Sequence, residues 1–239
     1  MIGQPPDAHV LRRTAYPIEI DTPHTKEELE VLRRIAPHMV AVGTENIVLS
    51  QPGNHAAGII GGFPDNQGQF IFCATHSVGQ GTHIYHPYSN IVVDLSRERA
   101  TRFYPDTTCV EWIPQYGQID EGIQLRPYLP GPCWIASMRY GGNHSFHLQI
   151  ATHSTTISGT YSRDKHNTFC PVIDGDGESI GPGSSGSAVI QRLAGEGYGL
   201  VGVLHGLSID NRIMFSPIPR VLLSKYPREH GRVTTTMVR

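Results

Sequence analysis

Hydrophobic positions along the chain fall into short runs separated by clusters of turn-forming residues. The runs are Met39–Val42, Gly58–Gly61, Phe70–Phe72, Asn90–Val93, Cys133–Ala136, Phe146–Ile150, Ala188–Ile190 and Leu200–Leu204. Between them lie Pro64–Gly68, Tyr140–Asn143 and Asp174–Gly177. Runs of three to five residues are too short for buried helices and fit strands of a sandwich or barrel. One segment has a different period. Thr25 and Glu28 have the Thr-x-x-Glu spacing of a capping box, Leu29, Leu32 and Ile35 form an apolar face, and Pro37 ends the segment. This predicts one helix, preceded by an extended, Pro-interrupted arm. Residues 1–37 are thus arm and helix, and 38–226 a β-rich domain. Val221–Tyr226 reads as a short C-terminal helix, and 227–239 as a loose polar tail.

Composition sharpens this picture. Glycine and proline make up 44 of 239 residues, about 18% against roughly 12% in an average chain. Turns at that density suit strands. Charged residues are 17% and the net charge is −2, which argues against disorder and against a nucleic-acid-binding role. No apolar run approaches the ~18 residues of a membrane span. The first residues lack the charged and apolar regions of a secretory signal, so an intracellular, cytoplasmic protein is expected. The four cysteines, Cys73, Cys109, Cys133 and Cys170, show no CxxC spacing and read as buried free thiols.

The sharpest chemical signal is Gly181-Pro182-Gly183-Ser184-Ser185-Gly186-Ser187, followed at once by an apolar strand. A serine at the tip of such a turn is exposed. Small neighbours admit a substrate carbonyl, and backbone N–H groups can converge on a developing oxyanion. A serine nucleophile needs a base. Among thirteen histidines, His76 stands apart, because it ends the apolar strand Phe70–Cys73 after the small residues Ala74 and Thr75. A carboxylate must orient that base. Candidates between the two are Asp94, Asp106, Asp120, Glu121, Asp164, Asp174 and Asp176. Asp120 lies just ahead of an alternating strand, Ile123-Gln124-Leu125.

Taken together, these pieces resemble the chymotrypsin-like serine proteases. The chain order His, Asp, Ser is that family's. Ala74-Thr75-His76 looks like its small-small-His signature, Asp120–Leu125 like its Asp before an apolar strand, and Gly183–Ser187 like its Gly-x-Ser-Gly loop. Ala188–Ile190, a Gly-containing turn and Leu200–Gly206 are similar to its hairpin after the nucleophile. The resemblance implies an all-β fold of two six-stranded barrels, with the boundary near residues 122–132. It implies a catalytic triad of His76, Asp120 and Ser185, with Asp94 and Asp106 competing for the acid's place. The amides of Gly183 and Ser185 would form the oxyanion hole. A polypeptide is the implied substrate, and no cofactor is implied.

Further features follow from the same resemblance. Ser184 stands where zymogen-activated members carry an Asp, and no Cys follows His76. Both place the chain nearer in style to viral and intracellular members. Counting back six residues from Ser185 puts Ser179 at the floor of the specificity pocket, with Glu178 adjacent. His205 lies on the strand that would line that pocket, where two readings stand, a substrate-recognising residue and a structural histidine. The pairs His83/His86 and His144/His147 lack metal-ligand spacing on a helix, so no metal is expected. Competing readings are a catalytically silent binding module of this fold and a β-rich structural protein.

Overall fold

The computed structural model describes residues 18–20, 25–44, 56–63, 68–89, 91–95, 100–112, 123–140, 148–175, 183–193 and 197–224. After the short strand β1 (Ile18–Ile20) comes α1 (Lys26–Ile35), capped as its sequence requires. Thr25 Oγ1 accepts from the Glu28 amide at 3.1 Å, and Glu28 Oε2 accepts from the Thr25 amide at 2.9 Å. Such a cap stabilises a helix by about 1 kcal/mol. The other Glu28 oxygen accepts from the Ser154 amide and hydroxyl, both at 3.0 Å, so one side chain both starts the helix and docks it. The buried face is Val31, Leu32 and Ile35, with Leu29 only partly covered. Pro37 then sits in a 3-10 turn, Ala36–His38, that leads into the first long strand.

The N-terminal half contains β2 (Met39–Thr44), β3 (Ala56–Gly62), β4 (Gln69–Ala74), β5 (Thr82–His86), β6 (Ile91–Asp94), β7 (Ala100–Phe103) and β8 (Thr107–Trp112). The pairing path is β6-β5-β2-β3-β4-β8-β7. Among the described residues this path has seven strands and two free ends. β9 (Ile123–Leu125) joins the halves, running parallel to both β3 and a strand of the second half. The C-terminal half contains β10 (Gly131–Tyr140), β11 (Leu148–Arg163), β12 (Phe169–Asp174), β13 (Ala188–Arg192), β14 (Tyr198–Leu207) and β15 (Ile213–Pro217). Its pairings run β13-β10-β11-β12-β15-β14 and return to β13, a six-membered ring. A one-turn helix, α2 (Arg220–Ser224), follows.

The apolar runs are continuous, not alternating, because both faces of these strands are buried. In β2, Val40 and Val42 fill the N-terminal core, while Met39 and Ala41 face a second cluster between the halves. In β4, Ile71 and Cys73 point one way and Phe72 the other. The C-terminal half repeats the device. Cys133 and Ile135 of β10 and Val189 of β13 enter its own core, and Trp134, Ala136, Ala188 and Ile190 enter the shared cluster. The helix face Val31–Ile35 and Leu222 of α2 close that cluster. Each fully buried Leu, Ile or Val contributes roughly 1.5–3 kcal/mol. The two halves are thus welded along one apolar seam, at whose rim the candidate site lies.

The apolar pattern does not reveal most of β11 or any of β7, β8 and β12. β11 carries His153-Ser154-Thr155-Thr156 and Ser158-Gly159-Thr160, with a register irregularity between Ile157 and Tyr161. A bulged, partly solvated strand shows no apolar run.

Candidate active site

His76 lies in a 3-10 turn, Thr75–Ser77, directly after β4. Its place is set by sheet register. β4 and β8 pair antiparallel with Ala74 opposite Thr107, so the next residue beyond each strand end, Thr75 and Asp106, also meet. The Thr75 amide donates to the Asp106 carbonyl at 3.0 Å, and the His76 amide donates to Asp106 Oδ1 at 3.0 Å. Asp106 Oδ2 lies 2.6 Å from His76 Nδ1. The backbone thus holds one carboxylate oxygen, and the other meets the imidazole. The ionised carboxylate accepts, so Nδ1 is the donor in this contact.

The carboxylate that meets His76 is that of Asp106, one of the two alternatives to Asp120. Asp120 itself lies outside the described residues. Asp94, the other competitor, is opposite His83 at the far end of β6. The signal for Asp106 was present. It directly precedes Thr107-Thr108-Cys109-Val110, a β-branched strand start. What the sequence does not show is that this strand pairs with the one that carries the histidine.

Ser185 comes from the other half. Its Oγ is 2.9 Å from His76 Nε2. The loop Gly183–Ser187 is pinned from both sides. The Ala57 amide of β3 donates to the Ser185 carbonyl at 2.8 Å, and the Gly186 amide donates to the Leu204 carbonyl of β14 at 2.9 Å. The Leu204 amide returns a bond to the Ser187 carbonyl at 2.8 Å. Gly186 has φ +79°, and a Cβ there would stand 2.0 Å from the Ala57 carbonyl oxygen. Glycine is obligatory on both counts. Gly183 also has positive φ, +86°. Among the described residues no carbonyl accepts from the amide of Gly183 or of Ser185. Ser184, between them, is buried.

Behind the aspartate lies a second histidine. His205 Nδ1 is 2.8 Å from Asp106 Oδ2, and His205 Nε2 is 3.0 Å from Asp164 Oδ2. Both ring nitrogens thus face carboxylates, the arrangement of the structural rather than the substrate-recognising reading of this residue. Ser179 and Glu178, expected at the pocket floor, lie outside the described residues. Burial would raise the Asp106 carboxyl, but the hydrogen bonds and charges of His205 and His76 override it and hold the carboxyl at about 2. Burial likewise opposes a charge on His205, yet bonds to Asp106 and Asp164 raise its pKa above the ordinary histidine value. The rings of His76 and His205 meet edge to face, with centroids 6.1 Å apart.

Among the described residues, the donor atoms close enough together to hold a metal are those of His76, Asp106 and His205, and both histidines are hydrogen-bonded to Asp106. His83 and His86 have separate structural duties. His83 Nδ1 meets the Gly81 carbonyl at 3.0 Å, and His86 Nε2 meets the Pro37 carbonyl at 2.7 Å. His144 and His147 are outside the described residues. All four cysteines are buried and unpaired by disulfides. No helix among the described residues is long and apolar enough to cross a membrane.

No family model matches the sequence, and no curated protein matches it. Solved structures do. A serine endoprotease from Yersinia pestis matches at TM-score 0.51 with 18% identity, over 86% of this chain and 66% of that one, so this chain spans just under two thirds of its length. A protease from Mycobacterium tuberculosis in its active form matches at 0.52 with 16% identity, over 90% and 89% of the two chains. A mutant of the tobacco etch virus protease matches at 0.53 with 12% identity, over 86% and 81%. At such identities the likeness is one of fold: this chain has the two-lobed, mostly β architecture of the chymotrypsin-like proteases.

Proposed function

We propose that the protein is a serine endopeptidase acting through Ser185, His76 and Asp106. The observation that carries this reading is the aligned pair of contacts, Ser185 Oγ to His76 Nε2 at 2.9 Å and His76 Nδ1 to Asp106 Oδ2 at 2.6 Å. They span the seam between the halves of a protease fold. His76 is half exposed, so its ring is accessible from solvent while its other nitrogen is anchored on a buried carboxylate.

In this reading Ser185 Oγ attacks the scissile carbonyl as its proton passes to His76 Nε2. Asp106 stabilises the imidazolium and keeps its own charge. The tetrahedral oxyanion is held by the amides of Gly183 and Ser185. His76 then gives its proton to the leaving amine, and the acyl-enzyme forms. Water, deprotonated by the same nitrogen, releases the acid. Ser179 as a neutral pocket floor remains part of the proposal and disfavours cleavage after Lys or Arg.

The test is intact mass after treatment with a fluorophosphonate, on wild type and on Ser185→Ala. One adduct on wild type and none on the variant is the expected result. Folded wild type that takes no adduct overturns the active-protease reading and leaves a binding module of the same fold.

A further inference from the structure

The contacts of His205 go beyond a triad. An ionised carboxylate only accepts hydrogen bonds. Asp106 Oδ2 and Asp164 Oδ2 each face one nitrogen of the His205 ring, at 2.8 and 3.0 Å. Both nitrogens must then donate, and the ring carries a positive charge. Asp164 is a fixed anchor. Its Oδ1 accepts from the amides of His166 and Thr168, both at 2.8 Å, and its own amide donates to the Thr168 carbonyl at 3.1 Å. Only Oδ2 is left to face His205. All three side chains are largely or fully buried, at 8% exposure for each aspartate and 13% for the histidine. Charges so placed are held in a medium where each contact is stronger than in water.

We propose that His205 is a positioning residue: a doubly protonated imidazolium that ties the Asp106 carboxylate to the fixed Asp164 carboxylate, and so keeps Asp106 Oδ2 aligned on His76. Two oppositely charged partners flank the cation, so the row Asp164, His205, Asp106 carries a net charge of minus one, as Asp106 alone would. The row supplies rigidity without removing the charge that the base needs. The ionisable groups facing the ring are His76 from the turn after β4, Asp106 before β8 and Asp164 after β11. The Cys170 thiol of β12, itself pushed up to about 12 by burial and by the charges of Asp164 and Asp106, lies beside this row.

The positioning role rests on the endopeptidase reading for its consequence but not for its geometry, and the test separates the two. Nitrogen-15 NMR of the full chain at pH 7.5 reads the protonation of each histidine ring nitrogen. Both nitrogens of His205 are expected protonated, in wild type and in Ser185→Ala alike; a neutral His205 ring overturns the proposal. In His205→Gln the low-field Nδ1–H resonance of His76 is expected to move upfield as Asp106 loosens, and an unmoved resonance overturns it whether or not Ser185 reacts. In the same variant the maximal rate of fluorophosphonate inactivation is expected to fall roughly 10²-fold with unchanged saturation, the effect of about 1 Å of misplacement. An unchanged rate in the folded variant also overturns it. Should His205→Gln not fold, Asp164→Asn replaces it, with the same readouts: a shifted resonance and a slowed rate are expected, and the absence of either overturns the proposal.

Discussion

Gly186→Ala isolates the geometry on which the nucleophile depends. The new Cβ would lie 2.0 Å from the Ala57 carbonyl oxygen, where real Cβ contacts do not fall below 3.0 Å, so the loop must move by about 1 Å. The obstructing atom is backbone in β3 and cannot swing aside as a side chain would. Forcing alanine to φ +79° costs about 1–2 kcal/mol. Relieving the overlap costs about 1–3 kcal/mol. The variant should therefore lose about 2–5 kcal/mol, backbone strain and steric overlap together. Because Ser185 is the adjacent residue and its carbonyl bonds to Ala57, the displacement falls on the reacting oxygen. Labelling by a fluorophosphonate should slow by roughly 10²-fold even in the fraction that folds. Gly79→Ala is the control. A Cβ there meets nothing within 4 Å, and the change should stay within about 0.5 kcal/mol. Urea midpoints and labelling rates for the three proteins decide the matter. A Gly186→Ala variant with the wild-type midpoint and rate would show that the loop is not held against β3 in this way.

Three other outcomes are expected. Asp106→Asn should slow turnover and serine labelling by about 10⁴-fold, or about 5.4 kcal/mol of barrier, because the amide cannot hold the imidazole in the productive tautomer. Asp120→Asn should leave both unchanged, and the reverse pattern would sink the assignment. Acid should destabilise the fold in two steps. Burial, with the charge of His86, lowers His38 from 6.5 to about 4, and His86 is lowered in the same direction by burial. The folded state thus favours neutral rings, a contribution present above pH 6.5 and lost as pH falls toward 4, worth about 3 kcal/mol for His38. Asp106, held at about 2 against an ordinary value of 3.8, adds a second loss below pH 4. Urea midpoints from pH 8 to 3 should show both, and His38→Leu should flatten only the first. The four thiols, each pushed up to about 12 with burial the leading cause, should resist a disulfide reagent in the folded protein and react fully in urea.

Much of this protein is legible along the chain. Apolar runs of three to five residues, spaced by glycine and proline, pointed to strands. The Thr25–Glu28 box set the start of α1 by local hydrogen bonding, and Pro37, which has no N–H to donate, marked its end. The meeting of His76 and Ser185 was legible because each sits at a locally written junction: a histidine after small residues at a strand end, and a serine in a loop whose glycines permit positive φ and close approach. Pairing is visible only in three dimensions. Several carboxylates lie between His76 and Ser185, and more than one of them directly precedes a strand-like segment. Asp106 is the partner because β8 lies beside β4 with Ala74 opposite Thr107, a register fixed by which faces are buried and not by anything adjacent in the chain. His205 shows the same limit. Its strand was recognised, yet its partners, Asp106 and Asp164, are 99 and 41 residues away, and only the fold brings them to its two nitrogens. Local chemistry is written in sequence order. The partner of a charged group is decided by long-range strand register, because burial leaves that group no water to fall back on.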